Sequence, residues 1–311
     1  IEIDPNHAAS NFGFGMTFVD EGEDDRAESF LVVATENADD NGEYHLELAE
    51  LYRRAERYDD ANIYYGFAVS LLAPDDPLRF DAFFGRSRVN NEQDRTSTEL
   101  VNLTNAIRVD PTDDIAFNNR GTAHTEQRNY ARAIADLTIA VILDPEDPIQ
   151  LANRGTAYRL DGQYDLALTD YNDAIALEPT SIWIYYNNRG LIHYQAGDYE
   201  DALADYNRAI EMQAPDEVDI ELSNRGQVLV AMGRYDEAVD DLLAAIDLRP
   251  NNPWIHKDLG DAYAGLDDVE NAVAAYQRHV DLQDAVGNTP DRDAQLYIVN
   301  HQFTLTPEGT P

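Results

Sequence analysis

The side chains best suited to chemistry are plentiful in this sequence but poorly arranged for it. Seven histidines, His7, His45, His124, His193, His256, His279 and His301, are scattered along the chain, and no two stand four residues apart, the helical spacing that holds a metal. Sixty acidic residues stand against 22 basic ones, so carboxylate pairs occur throughout and none stands out as an acid–base couple. Cysteine is absent, which excludes disulfides, thiolate metal sites and a thiol nucleophile. There is no glycine-rich phosphate loop, no Gly-x-Ser-x-Gly elbow and no His-Glu-x-x-His pair. The nearest approach to a metal loop is Asn37, Asp39 and Asn41 followed by Gly42, alternating oxygen donors and a turn glycine as in the first half of a calcium loop. The position that should supply a bidentate glutamate is Leu48, with Glu47 beside it. An acidic turn capping the next helix is therefore the competing reading. The expectation is a chain with no catalytic residues and no cofactor.

Charge narrows the partners. The net charge is −38 in 311 residues, and Lys257 is the one lysine. Such a field repels nucleic acid and anionic membranes and attracts cationic partners or divalent ions; a general compositional bias or adaptation to salt would produce it equally. Hydrophobic residues make up 43%, enough for a substantial core. No run of 18 apolar residues is present, so no membrane span is expected. The sequence begins with Ile1 rather than Met, which fits a processed, exported chain or a trimmed one. The compartment stays open, with an extracytoplasmic or secreted location slightly ahead of a cytoplasmic one.

What must position any binding residues is a repeat. The string Asn-Arg-Gly recurs at 119–121, 153–155, 188–190 and 224–226, and Asp258-Leu259-Gly260 continues it. Twelve residues after each of these five glycines stands an alanine: Ala133, Ala167, Ala202, Ala238 and Ala272. Pro145, Pro179, Pro215 and Pro250 close most units, as expected where a helix must stop. Ala49, Ala61, Tyr65 and Ala68 mark an earlier unit, and Ser87, Leu103, Ala106 and Pro111 a degenerate one with Glu99 at a small-residue position. A fixed period near 34 residues signals stacked supersecondary units.

These residues resemble the tetratricopeptide-repeat (TPR) family, whose pattern places small residues at positions 8, 20 and 27 of a 34-residue unit. The resemblance implies an all-α fold, a right-handed superhelical solenoid of about seven helix-turn-helix repeats over residues 42–284, flanked by an N-terminal extension (1–41) and a C-terminal tail or cap (285–311). It implies a protein–protein interaction scaffold whose partner is a protein or peptide.

Comparison among the repeats separates two polar roles. Arg120, Arg154, Arg189 and Arg225 occupy position 7, and Asp136, Asp170, Asp205 and Asp241 occupy position 23 of the same units. Where position 7 is Leu259 or Leu48, position 23 is Ala275 or Tyr64. The two positions switch together, so an Arg–Asp bridge between the two helices of a unit is expected, specifying geometry more than adding stability. Position 6 carries Asn119, Asn153, Asn188 and Asn224, with Asp258 after them. Each asparagine offers a donor and an acceptor. By the resemblance, the first helix of each unit lines a concave groove, and an asparagine ladder there grips a peptide backbone, as in protein O-GlcNAc transferases. Thr122, Thr156, Arg159 and Tyr194 fall in the same groove, with Thr125, Leu191, Gln227 and Lys257 alongside. Alternatively, the asparagines bond a neighbouring helix or the turn before it. A clamp for a terminal carboxylate, as in chaperone-binding members, is disfavoured, because Lys257 and Arg159 lie three units apart.

The ends depart from the repeat. Phe12, Phe14, Met16 and Phe18 alternate with Gly13, Gly15 and Thr17, and Tyr297, Val299, His301, Phe303 and Leu305 also alternate. Period two predicts short strands, over 11–19 and in the C-terminal tail, with an extra helix over 26–36. Phe12, Phe14, Met16, Phe18, Val299 and Phe303 then become candidates for end-to-end self-assembly into a homo-oligomer or filament through strand docking. The other reading is that each tail folds back as a cap over an apolar solenoid end. One glycosylation sequon, Asn102-Leu103-Thr104, falls on an expected helix.

Overall fold

The computed structural model describes residues 6–179, 182–285, 287–288 and 291–301. Among them every regular element is an α-helix, and the chain divides into two compact units, 1–161 and 162–311. The first unit holds α1 (Ala8–Glu21), α2 (Asp24–Asn37), α3 (Gly42–Arg54), α4 (Tyr58–Leu71), α5 (Leu78–Glu92), α6 (Thr96–Val109), α7 (Asp114–Glu126), α8 (Tyr130–Leu143) and α9 (Pro148–Leu160). The second holds α10 (Tyr164–Leu177), α11 (Trp183–Ala196), α12 (Tyr199–Glu211), α13 (Asp219–Ala231), α14 (Tyr235–Leu248), α15 (Pro253–Gly265), α16 (Val269–Ala285) and α17 (Arg292–His301).

Within each unit consecutive helices pack as hairpins: α1 with α2, α3 with α4, α5 with α6 and α7 with α8, then α11 with α12, α13 with α14 and α15 with α16. The small residues explain how closely these helices approach. A Cβ at Gly121 would sit 2.6 Å from Leu137 Cγ, and one at Gly226 would sit 2.7 Å from Leu242 Cγ. Ala133, Ala140, Ala238 and Ala245 are fully buried on the facing helices. Small side chains here let a large one from the partner helix fill the gap. The first helices of successive hairpins also touch, α3 with α5 and α7 with α9 in the first unit, α13 with α11 and α15 in the second. They therefore form a row of α11, α13 and α15 in the second unit, and in the first unit residues of α5, α7 and α9 line a common face.

Helix ends follow local chemistry. Asp110 and Asp144, each before a proline, take extended backbone as the prolyl ring requires. Asp113, Asp147 and Asn252 then cap the next helix by accepting from Ala116 N, Ile149 N and Trp254 N. Pro148 and Pro253 occupy the first turn, where a missing N–H costs nothing.

The two ends correct the strand expectations. Residues 11–19 lie inside α1, and the helix expected over 26–36 is α2. Gly15, Ala27, Leu31 and Ala34 repeat the spacing of Gly121, Ala133, Leu137 and Ala140, and a Cβ at Gly15 would meet Leu31 Cγ at 2.7 Å. The N-terminal segment is thus a further hairpin built on the repeat's own packing rule. Its aromatic residues turn inward or along the hairpin. Phe12 stacks on Tyr44 of α3 at 4.4 Å, Phe18 stacks on Phe30 at 5.4 Å, and Arg26 lies over Phe18. At the other end, residues 297–301 belong to α17, whose Ala294 and Ile298 are buried with Tyr276 and Val280 of α16. Tyr297 stacks on His301 one helical turn away, at 4.2 Å. Phe303 and Leu305 lie outside the described residues.

Candidate functional site

The Arg–Asp partnership inferred from the repeats is present in three hairpins. Arg120 donates to both carboxylate oxygens of Asp136 at 2.7 Å, Arg189 to those of Asp205 at 2.8 and 2.5 Å, and Arg225 to those of Asp241 at 2.6 Å. The aspartates are almost buried, at 7%, 4% and 8% exposure. Each arginine has a third reach that the sequence did not reveal. Its remaining terminal nitrogen donates to the helix before it, from Arg120 to Thr104, from Arg189 to Asn172 and from Arg225 to Asn207. One guanidinium thus joins three helices, which its planar fork of donors allows. Hydrogen bonding to Asp205 and Asp241 holds Arg189 and Arg225 more basic than usual against the opposing cost of burial. The fourth pair, Arg154 and Asp170, belongs to different units. In the hairpin where Leu259 and Ala275 replace the pair, both are buried in one apolar cluster.

The asparagines of position 6 lie half-exposed on the first helices. Asn153 Nδ2 donates to Asn118 Oδ1 at 2.9 Å, and Asn224 Nδ2 donates to Asn187 Oδ1 at 2.9 Å. Gln227 Nε2 continues the row by donating to Asp258 Oδ2 at 2.7 Å. Each bond runs between the first helices of successive hairpins. The position-5 partners Asn118 and Asn187 were not singled out in the sequence, although both precede the Asn-Arg-Gly string directly. A carboxamide has two donor hydrogens and two acceptor lone pairs, so one such bond leaves capacity on each side chain.

In the first unit this row opens into a cleft of ≈ 360 Å³. Asn118, Asn119, Thr122 and Asn153 line it, together with Glu99 and Glu126. Thr122 and Thr156 donate their hydroxyls to the helical carbonyls of Asn118 and Ala152, and Arg159 is half-buried on the same helix as Thr156. In the second unit Tyr194, Gln227 and Lys257 line a smaller cleft of ≈ 290 Å³ with Trp254 and Asp258. Asn188 is half-exposed on α11. Lys257 is committed to Asp261 at 2.9 Å, so it does not stand free as a carboxylate clamp.

Two carboxyls in these clefts are perturbed. Burial pushes Glu99 up to about 7, with nearby Glu126 adding to the shift and a hydrogen bond from Asn91 opposing it. Burial likewise pushes Asp258 up to about 6, opposed by Gln227 and Lys257.

The candidate calcium loop is occupied by local bonds. Asn41 Oδ1 caps α3 by accepting from Glu43 N and Tyr44 N, His45 Nε2 pairs with the Asp39 carbonyl, and Asn37 donates to Val33 O. A carboxylate trio with oxygens within 4.8 Å of one another lies elsewhere, at Asp114, Asp144 and Asp147. Each already accepts a hydrogen bond, from the Gln150 side chain, Glu146 N and Ile149 N respectively, so local hydrogen bonding accounts for the trio. Asn102 of the sequon is 3% exposed on α6 and donates to Thr98 O, which removes it from solvent. No described helix is long and apolar enough to cross a membrane.

Comparison with known proteins agrees with the geometry. Models of the tetratricopeptide repeat match residues 102–148, 155–188, 183–213 and 226–267. A tetratricopeptide repeat protein from Parabacteroides merdae has a similar structure, with TM-score 0.60 and 20% identity over 82% of this chain and 98% of that one. The C-terminal part of a TPR repeat-containing protein from Cytophaga hutchinsonii is similar at TM-score 0.65 and 18% identity, over 80% and 99% of the two chains. YrrB, a TPR protein with an unusual peptide-binding site, is similar at TM-score 0.51 and 21% identity, over 64% and 97%. The comparison with curated proteins gives no match. The repeat spacing, the hairpin packing and these likenesses converge: the chain carries tetratricopeptide repeats over residues 102–148, 155–213 and 226–267.

Proposed function

We propose that the chain is a protein-interaction scaffold that holds an extended peptide along the first-helix row, with the amide side chains as its grip. The observation that carries this reading is the pair of bonds Asn153–Asn118 and Asn224–Asn187. They fix carboxamides in register between successive first helices, half-exposed at Asn118, Asn153 and Asn224, and the Asn153–Asn118 pair lines a cleft. Fixed amides lose little further freedom on binding, and they pair with backbone N–H and C=O groups without reading sequence. The likeness to YrrB, a peptide-binding relative by fold, adds support. Binding, not catalysis, is the reading consistent with clefts lined mainly by amides and structural carboxylates. The test is fluorescence anisotropy of labelled extended peptides against the wild type and the double variant Asn153→Ala, Asn188→Ala. The reading expects loss of capture with the helical circular dichroism unchanged; equal capture by both proteins would sink it.

End-to-end self-assembly is a second reading, now through helices. Phe14 on α1 and Leu296 and Val299 on α17 are 54%, 47% and 55% exposed. Apolar side chains left on a terminal helix suit contact with another copy.

A further inference from the structure

Six of the hairpins carry a fully buried alanine at position 20, Ala27, Ala61, Ala133, Ala202, Ala238 and Ala272, and α10 carries Ala167 at the same position. The α5–α6 hairpin carries Glu99 there, in the first turn of α6 and 4% exposed. A carboxylate in a close-packing position is costly unless its oxygens are satisfied. Glu99 Oε1 accepts a long bond of 3.3 Å from Asn91, while Oε2 is buried with no hydrogen-bond partner. The residue lines the ≈ 360 Å³ cleft that also holds Asn118, Asn119 and Asn153. Around it the charged groups are Glu92 and Arg88 on α5 and Glu126 on α7, so carboxylates outnumber the single cation.

We propose that this cleft takes one cationic side chain, arginine or lysine, from the bound peptide, with Glu99 as its counter-ion. The inference rests on the reading of the amide row as a peptide groove, and it adds a chemical preference to a grip that otherwise reads only backbone. An incoming guanidinium or ammonium supplies the donors that Glu99 Oε2 lacks, and a charge-assisted bond in a partly dry cleft is stronger than one between neutral groups. Exposed Glu92 and Glu126 steer the cation inward without themselves being buried. The net charge of −38 favours a basic guest in the same sense.

The test uses the full chain and labelled nine-residue peptides of glycine, serine and threonine that differ only at the central residue: arginine, lysine, citrulline or glutamate. Anisotropy at pH 8 is expected to show the arginine and lysine peptides binding at least tenfold tighter than the citrulline peptide, and Glu99→Gln is expected to erase that difference while still binding citrulline. Equal binding of arginine and citrulline by the wild type overturns the inference and leaves the groove reading standing. A preference that survives Glu99→Gln also overturns it, assigning the effect to the general acidic field. Failure of every peptide to bind removes the groove reading itself.

Discussion

Arg225 grips Asp241 through two parallel bonds of 2.6 Å and reaches the preceding hairpin at Asn207 with its remaining nitrogen. The chain itself contains the control for this arrangement, since Leu259 and Ala275 fill the same two positions one hairpin later and are buried together. Removing one member of a nearly buried ion pair strands the other, at a cost of about 3–5 kcal/mol. Removing both and filling the space with apolar groups is often close to neutral. Asp241→Ala is therefore expected to lower unfolding stability by about 3 kcal/mol, and Arg225→Leu with Asp241→Ala to recover most of that loss. Urea denaturation of the wild type, both single variants and the double variant reads the coupling directly. Additive single effects would mean that the two side chains do not act as a pair.

The N-terminal hairpin makes a prediction of opposite signs at two neighbouring glycines. A Cβ at Gly15 would lie 2.7 Å from Leu31 Cγ, whereas one at Gly13 would meet nothing within 4 Å. Gly15→Val overpacks the α1–α2 contact and is expected to cost about 1–3 kcal/mol. Gly13→Ala sits in open space inside a helix and is expected to stabilise by up to about 1 kcal/mol. Thermal unfolding of the two variants checks both, and a loss of stability from Gly13→Ala would contradict a helical α1.

The sequence made the repeated hairpins legible because close packing demands small residues at fixed intervals, and those intervals survive along the chain from Ala49 to Ala272. The Arg–Asp pairs were legible because both positions change together between repeats. The first hairpin was missed although Gly15, Ala27, Leu31 and Ala34 follow the same spacing. Phe12, Phe14, Met16 and Phe18 alternate with small residues, and glycine is a poor helix former. Period two and low propensity masked pairs such as Phe12–Met16 and Phe14–Phe18, which fit a helix equally. Tertiary contact with Leu31 decides between them, and a local pattern does not contain it. The Asn153–Asn118 bond and the cleft around Glu99 were not legible for a related reason: both depend on how successive hairpins are offset, which spacing within one repeat does not set.

Because α1 buries Leu31, shortening the chain is a poor probe of assembly. Deleting residues 1–22 would uncover Ala27, Leu31 and Ala34, all fully buried in the intact protein, and create a new sticky face. Point changes at exposed positions separate the two effects. If terminal helices mediate contact between copies, the wild type elutes above monomer mass, and Phe14→Ser or Val299→Ser returns it to monomer with its melting temperature little changed. Light scattering coupled to size exclusion measures this. A wild-type monomer at all concentrations would end the self-assembly reading.

The buried acid in the cleft predicts a pH dependence of stability with a definite sign. Glu99 has an ordinary value of 4.5, and burial, reinforced by Glu126, lifts it to about 7 in the folded chain. A carboxyl raised on folding binds its proton more tightly in the native state than in the unfolded one. Its contribution to stability is fully present below about pH 4.5 and is lost as pH rises through about 7. Each pH unit inside that window costs up to about 1.4 kcal/mol from this one group. Glu99→Gln keeps the shape and removes the titration. The wild type and the variant should therefore have similar stability near pH 4.5, and the variant should be the more stable near pH 8. The difference between their urea-unfolding free energies, followed from pH 4.5 to 8.5, cancels every other titrating group that both proteins share. A flat difference across that range would mean that Glu99 ionises in the folded protein as it does in water, and that water reaches its carboxylate freely within the cleft.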